Sequence, residues 1–230
     1  MNVAANPINP NIEHLGDIYC GIMNAVADRL DSISEALAEI EANPDHPKNW
    51  RHAEFCYLQV RKCVEYAALA LLAAHRANDY ECEKLENEYK ADVIFSDLGK
   101  LNPHGFPMAI QIGLGDEDNV DFHITQNPIL SKRRMKRIYD GCAVHLHSGK
   151  LSDIINQTIP PYDLVRVSGW RTELASLLER HQVMLPHIGL VMVVWLREPD
   201  SGNSKVVFAQ ADGPFNIEGD AAIYNDVDCQ

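Results

Sequence analysis

The chain has 230 residues, of which 46% are hydrophobic and 23% charged. That apolar share is enough to bury a large core, and it excludes disorder of the whole chain. A formal net charge of −13 excludes a generic nucleic-acid coat, which is basic overall.

The charge is uneven. Residues 1–47 hold eight acidic side chains and one basic one, whereas residues 131–150 hold six basic side chains against Asp140 alone. Salt screens distant charges beyond roughly 10 Å, so a local basic patch on an acidic protein can still attract a polyanion. Six cysteines (Cys20, Cys56, Cys63, Cys82, Cys142 and Cys229) are scattered and form no C-x-x-C pair. Such cysteines suit buried positions in a reducing compartment. Met1–Pro10 is polar and lacks a secretory pattern. The apolar run Ala67–Ala74 is too short to span a bilayer. A cytoplasmic protein with no membrane contact is expected.

In chain order, residues 1–11 read as a flexible arm. From Ile12, Leu15, Ile18, Ile22, Val26, Leu30, Ile33, Leu37 and Ile40 recur at spacings of three and four. That is the apolar stripe of a long amphipathic helix. Its other face carries Asp17, Asp28, Asp31, Glu35, Glu39 and Glu41, either a solvated face or a surface for docking a partner. Asn43-Pro44-Asp45-His46-Pro47 ends it. A second helix covers about Asn49 to Arg76, and its later half is apolar nearly all round, as in the middle of a bundle. Glu54, Arg61 and Glu65 on that helix need partners, as an internal ion-pair network or as a polar pocket floor.

A third helix is predicted over 80–101, with Glu81, Glu83, Glu86 and Glu88 early, where the helix dipole favours them. Its core face is Leu85, Tyr89, Val93, Ile94, Leu98 and Leu101. Ile110, Ile112 and Leu114, then Val120, Phe122 and Ile124, alternate with polar residues or glycine and predict a hairpin with His123 on its polar face. Ser131 is a good N-cap for a helix over 132–147. Another helix is predicted over 169–183, with Trp170, Leu174, Leu177 and Leu178 facing in. Ile188–Leu196, a turn at Glu198–Ser204 and Lys205–Ala211 predict a second hairpin, and 213–230 an acidic surface tail. The fold class is therefore α+β: an antiparallel helical bundle with two β-hairpins, the second C-terminal. Its parts are the arm 1–11, a bundle with an inserted hairpin at 12–150, and a helix, hairpin and tail at 151–230.

Chemistry concentrates in Ser131–Lys150. Lys132, Arg133, Arg134, Lys136 and Arg137 crowd the start of a helix, where cations oppose the dipole by about 0.3–1 kcal/mol each. Local rules are broken most often at functional sites. These cations could hold RNA phosphates. His145 and His147 follow, and imidazoles titrate near neutral pH and can move protons in phosphodiester cleavage. Cleavage by the RNA 2′-hydroxyl needs only an acid–base group and a cation, so neither metal nor other cofactor is expected. The plainer alternative is a solvated basic face with histidines favoured at a helix C-terminus. His145-x-His147 has no third metal ligand at a telling distance.

Arg51–Cys56, Arg61–Glu65, Lys100–Pro103 and Tyr139–Gly149, ending in Leu146-His147-Ser148-Gly149, resemble a family of bacterial proteins, and that ending in turn resembles the HEPN superfamily of helical bundles. The resemblance covers about residues 12–150. Many HEPN members are metal-independent RNases of toxin–antitoxin, abortive-infection and CRISPR systems, acting as dimers whose motifs meet. It implies a bacterial defence or toxin–antitoxin protein, a homodimer and an endoribonuclease site, with His147 and His145 moving protons and Arg137 beside phosphate. The family places an arginine before its histidine with four to six residues between them. Counting back from His147 gives Asp140, Gly141 and Cys142, and Arg137 misses the His145 window of 138–140 by one. An inactive relative, or a non-catalytic interaction module docking a protein through its acidic first helix, is the alternative.

Overall fold

The computed structural model describes residues 10–76, 82–114, 120–124, 130–147, 149, 151–156, 158 and 160–210. The acidic tail, the hairpin turn at 115–119 and most of the N-terminal arm lie outside them. Helix α1 spans Pro10–Ala42 and α2 Asn49–Arg76. Pro10 is thus helical, where proline's missing N–H costs nothing in a first turn. Between the helices, the Asn49 amide donates to the carbonyls of Asn43 (2.7 Å) and Pro44 (3.1 Å).

α1 and α2 run antiparallel. The Cys56 thiol lies 3.9 Å from the Ile33 carbonyl, and the Cys63 thiol 3.9 Å from that of Val26. Small residues on α2 (Ala53, Cys56, Cys63, Ala67) allow close approach, and Tyr19, Met23, Val26, Leu30 and Ile33 bury against them. Ile18, placed in the stripe by spacing, is partly exposed instead. The Arg29 guanidinium donates to Gln59 and Tyr66 and covers the Tyr66 ring at 4.8 Å.

The helix predicted over 80–101 is broken. Cys82–Leu85 is one 3₁₀ turn, and α3 begins only at Ala91, running to Leu101. Glu88 accounts for the break. Its carboxylate accepts from the backbone N–H groups of Tyr89 and Lys90, both at 2.9 Å, which competes with helical bonding. Tyr89 is consequently 70% exposed, not part of a core face.

Strands β1 (Met108–Leu114) and β2 (Val120–Ile124) form the expected antiparallel hairpin, with Ile112 opposite Phe122. Helix α4 spans Lys132–Leu146 and the short α5 Leu151–Ile155. Helix α6 runs Leu164–Leu178, not 169–183, and buries Trp170, Leu174, Leu177 and Leu178 as predicted. β3 (Arg180–Leu185) follows at once, then β4 (Leu190–Trp195) and β5 (Lys205–Gln210). The C-terminal part is therefore a three-stranded meander, and β1 pairs with β3 to join everything in one antiparallel sheet of order β2-β1-β3-β4-β5. His181 hid β3: the buried set His181, Val183 and Leu185 alternates as a strand should, but one member is polar.

One core unites residues on both sides of position 150. Val183, Leu185, Met192 and Val194 from the sheet join the α1, α2, α4 and α6 side chains. Phe208 of β5 packs on Gly16 of α1, where an added Cβ would stand 3.0 Å from its ring. Among the described residues, no helix is long and apolar enough to cross a membrane.

Two buried histidines tie helices to sheet. His75 Nδ1 donates to the Leu71 carbonyl (2.7 Å), leaving Nε2 to accept from the Asn102 amide (3.2 Å), which also donates to Met184 of β3 (2.8 Å). His181 Nδ1 likewise donates to Leu178 (3.0 Å), and Nε2 accepts from the Tyr19 hydroxyl (2.7 Å). Complete burial pushes His181 down from 6.5 to about 4. The fold favours the neutral ring, so its stability is full above about pH 6.5 and is lost as pH falls towards 4, by about 3 kcal/mol at most. Urea unfolding at pH 7, 5.5 and 4 should show that fall, and His181→Gln should make it shallower. An unchanged slope in the variant would contradict this.

Candidate functional site

Helix α4 carries most of the residues singled out for chemistry. Its Ser131 cap accepts from the Arg134 N–H at 3.2 Å. Met135, Ile138, Tyr139 and Cys142 are buried and fix its rotation. The cations then point several ways. At about 100° per residue, Arg134 and His145 share one flank, Lys132 and Lys136 lie on the other, and Arg133 and Arg137 face outward. Arg137 and His145 are about 80° apart around the axis and about 12 Å apart along it.

Arg134 is bound in bidentate fashion to Glu173 of α6 (2.8 and 2.7 Å), and that bond raises its pKa. Lys136 pairs with Asp140 (2.9 Å) and Asp92 of α3 (3.5 Å), and the Asp140 bond raises its pKa too. Lys132 folds back over Gly99. Arg133 and Arg137 are exposed. Arg134 and Lys136 are thus bound to carboxylates on the protein's own helices, which answers part of the charge excess that made the segment look open to phosphate.

The two histidines part company. His147 is the exposed C-cap of α4, its N–H bonded to the Ala143 carbonyl at 3.2 Å. His145 turns inward. Its ring lies 4.2 Å from the Tyr57 ring of α2 and 5.3 Å from that of Tyr162, centroid to centroid. Burial lowers its pKa, Arg166 lowers it further and Asp163 opposes. Tyr162 donates to the Glu54 carboxylate at 2.7 Å, and burial together with that bond pushes its hydroxyl up to about 12. The buried Tyr57 hydroxyl accepts from the Asp163 N–H at 3.1 Å, and Trp170 stands edge-on to its ring.

The site the structure assembles is therefore His145 with Tyr57, Tyr162, Glu54, Asp163 and Arg166, not His145 with Arg137 and His147. An imidazole within electrostatic reach of a guanidinium can accept a proton while the cation steadies an anion. Sequence reasoning missed Tyr57, Tyr162, Asp163 and Arg166. Pro160-Pro161 followed by Asp163, whose side chain caps α6 through the Arg166 N–H (2.9 Å), was the available signal.

Glu54 is thereby removed from the network expected on α2. Arg61 and Glu65 do pair (3.1 Å), with Lys62 also on Glu65 (2.7 Å). The Arg61 guanidinium donates to the Tyr139 hydroxyl (2.6 Å) and covers its ring at 4.2 Å, clamping α2 to α4. Among the described residues, no three His, Cys, Asp or Glu side chains gather as a metal-binding group.

Tyr162→Ala should open the His145 ring to water and move its pKa up towards 6.5, read from its ring-proton NMR shifts against pH. No movement would mean that the tyrosine does not shield the ring. Comparison with family models, with curated proteins and with solved structures finds no match for this chain.

Proposed function

We propose that this chain is a HEPN-like helical-bundle protein of a bacterial defence or toxin–antitoxin system that acts by protein–protein contact, pairing with a second copy of itself. One observation carries this: five large apolar side chains between residues 144 and 165 are exposed. Val144 is 55% exposed, Leu151 72%, Ile154 53%, Ile155 69% and Val165 85%. Helix α5 buries no residue at all. Single exposed apolar residues are ordinary, but a group of them on one stretch marks a contact surface. The exposed acids of α1, including Glu35, Glu39 and Glu41, offer a second surface suited to a basic partner.

A second reading rests on His145. A half-buried neutral imidazole with Arg166 nearby could serve a metal-independent RNase, with the outward Arg133 and Arg137 guiding RNA. Its rate would fall as pH drops through the lowered His145 pKa.

Sedimentation of the wild type and of Leu151→Ser with Ile155→Ser separates the two. Each lost contact costs about 1–3 kcal/mol, so the variant should dissociate at least tenfold more readily while keeping its helical circular dichroism. A wild type that is monomeric and cleaves labelled RNA in EDTA, with cleavage lost in His145→Ala, would overturn the first reading in favour of the second.

A further inference from the structure

A half-open cavity of about 120 Å³ lies where the end of α3, the connector after it and the first turn of α4 meet. Leu71, Phe95, Leu98 and Phe106 give it apolar walls, and Lys132 supplies its cation. The lysine reaches in because position 99 is glycine: a Cβ there would stand 2.4 Å from Lys132 Nζ. Asn102 also lines the cavity, but its amide hydrogens go to His75 and Met184 and its oxygen accepts from the His104 N–H (3.1 Å).

Lys132 differs from Arg134 and Lys136 on the same helix. Among the described residues it has no hydrogen bond or ion pair. The nearby carboxylate of Asp97 is held by Lys100 at 2.6 Å. Burial lowers the Lys132 pKa, the charge of Lys100 adds to that and the charge of Asp97 opposes it. A part-buried ammonium without a partner is costly, and a bound anion would remove the cost.

We propose that this cavity binds a small monocarboxylate with a short alkyl tail, its carboxylate on Lys132 Nζ and its tail against Leu71, Phe95, Leu98 and Phe106. The size fits. A cavity of about 150 Å³ holds benzene, so this one takes about four to six heavy atoms. A phosphate, with more charge and more acceptor oxygens, would face apolar walls that cannot satisfy them. The assignment is independent of the contact surface around α5.

The test is titration of the full chain with butyrate, butyramide and inorganic phosphate, followed by the methyl NMR shifts of Leu71 and Leu98. Butyrate should saturate with a Kd of about 1 mM, and butyramide should bind about tenfold more weakly or not at all. Lys132→Met should weaken butyrate to the same degree with its melting temperature kept, and Gly99→Ala should weaken it by displacing the ammonium. Absence of saturation by butyrate, equal binding of butyramide, phosphate binding as tight as butyrate, or full butyrate affinity in Lys132→Met would each overturn the proposal. The wild-type comparison of butyrate with butyramide decides even if a variant does not fold.

Discussion

Half of α2 is buried, so the polar groups on its inner side have to find partners inside the protein. They find them on different neighbours. Gln59 and Tyr66 take Arg29 of α1, Arg61 takes Tyr139 of α4, Tyr57 takes the backbone at Asp163 before α6, and His75 takes Asn102 beyond α3. Apolar burial drives the packing without regard to direction. These bonds set which turn of α2 meets which neighbour. Around Gly105 the fit is close: a Cβ there would fall 2.3 Å from His75 Nε2.

The functional surfaces follow from that arrangement. The early turns of α2 bring Glu54 and Tyr57 to the end of α4, so His145 is enclosed by aromatic rings and becomes the inward-facing histidine. The Arg61–Tyr139 clamp and the buried face of α4 set that helix's rotation, which spreads its cations over different sides. Arg134 meets Glu173 and Lys136 meets Asp92, while Lys132 swings across Gly99 into an apolar cavity whose nearby carboxylate, Asp97, is held by Lys100. Helix α5, lying after α4, leaves Leu151, Ile154 and Ile155 exposed.

Much of this fold was legible in the chain. The bounds of α2 and the end of α1 follow from an apolar period of three and four interrupted by Asn43-Pro44, and the start of α4 follows from Ser131. The β1–β2 hairpin follows from alternation alone. Apart from the break before α3, what failed did so because the deciding partner is far off in sequence. His181 falls inside the helix predicted over 169–183, whereas it lies in a strand where Tyr19, 162 positions away, satisfies it. The glutamates at 81–88 favour an early helix turn by charge, yet one of them, Glu88, bonds to the backbone and stops it. His145 was chosen for its chemistry, but its working neighbours Tyr57 and Tyr162 come from other elements. The basic stretch looked open to phosphate because Glu173 and Asp92, which occupy two of its cations, lie on α6 and α3.

Residue-resolved hydrogen exchange under native conditions tests the central role of α2 most directly, since local protection reports how much of the protein must open to free an amide. The amides from Cys56 to Leu72 should exchange last, more slowly than those of α1, α4 and α6. Exchange of α2 together with or ahead of α4 would mean that the bundle is not organised on α2, and the positions of His145 and Lys132 would need another cause.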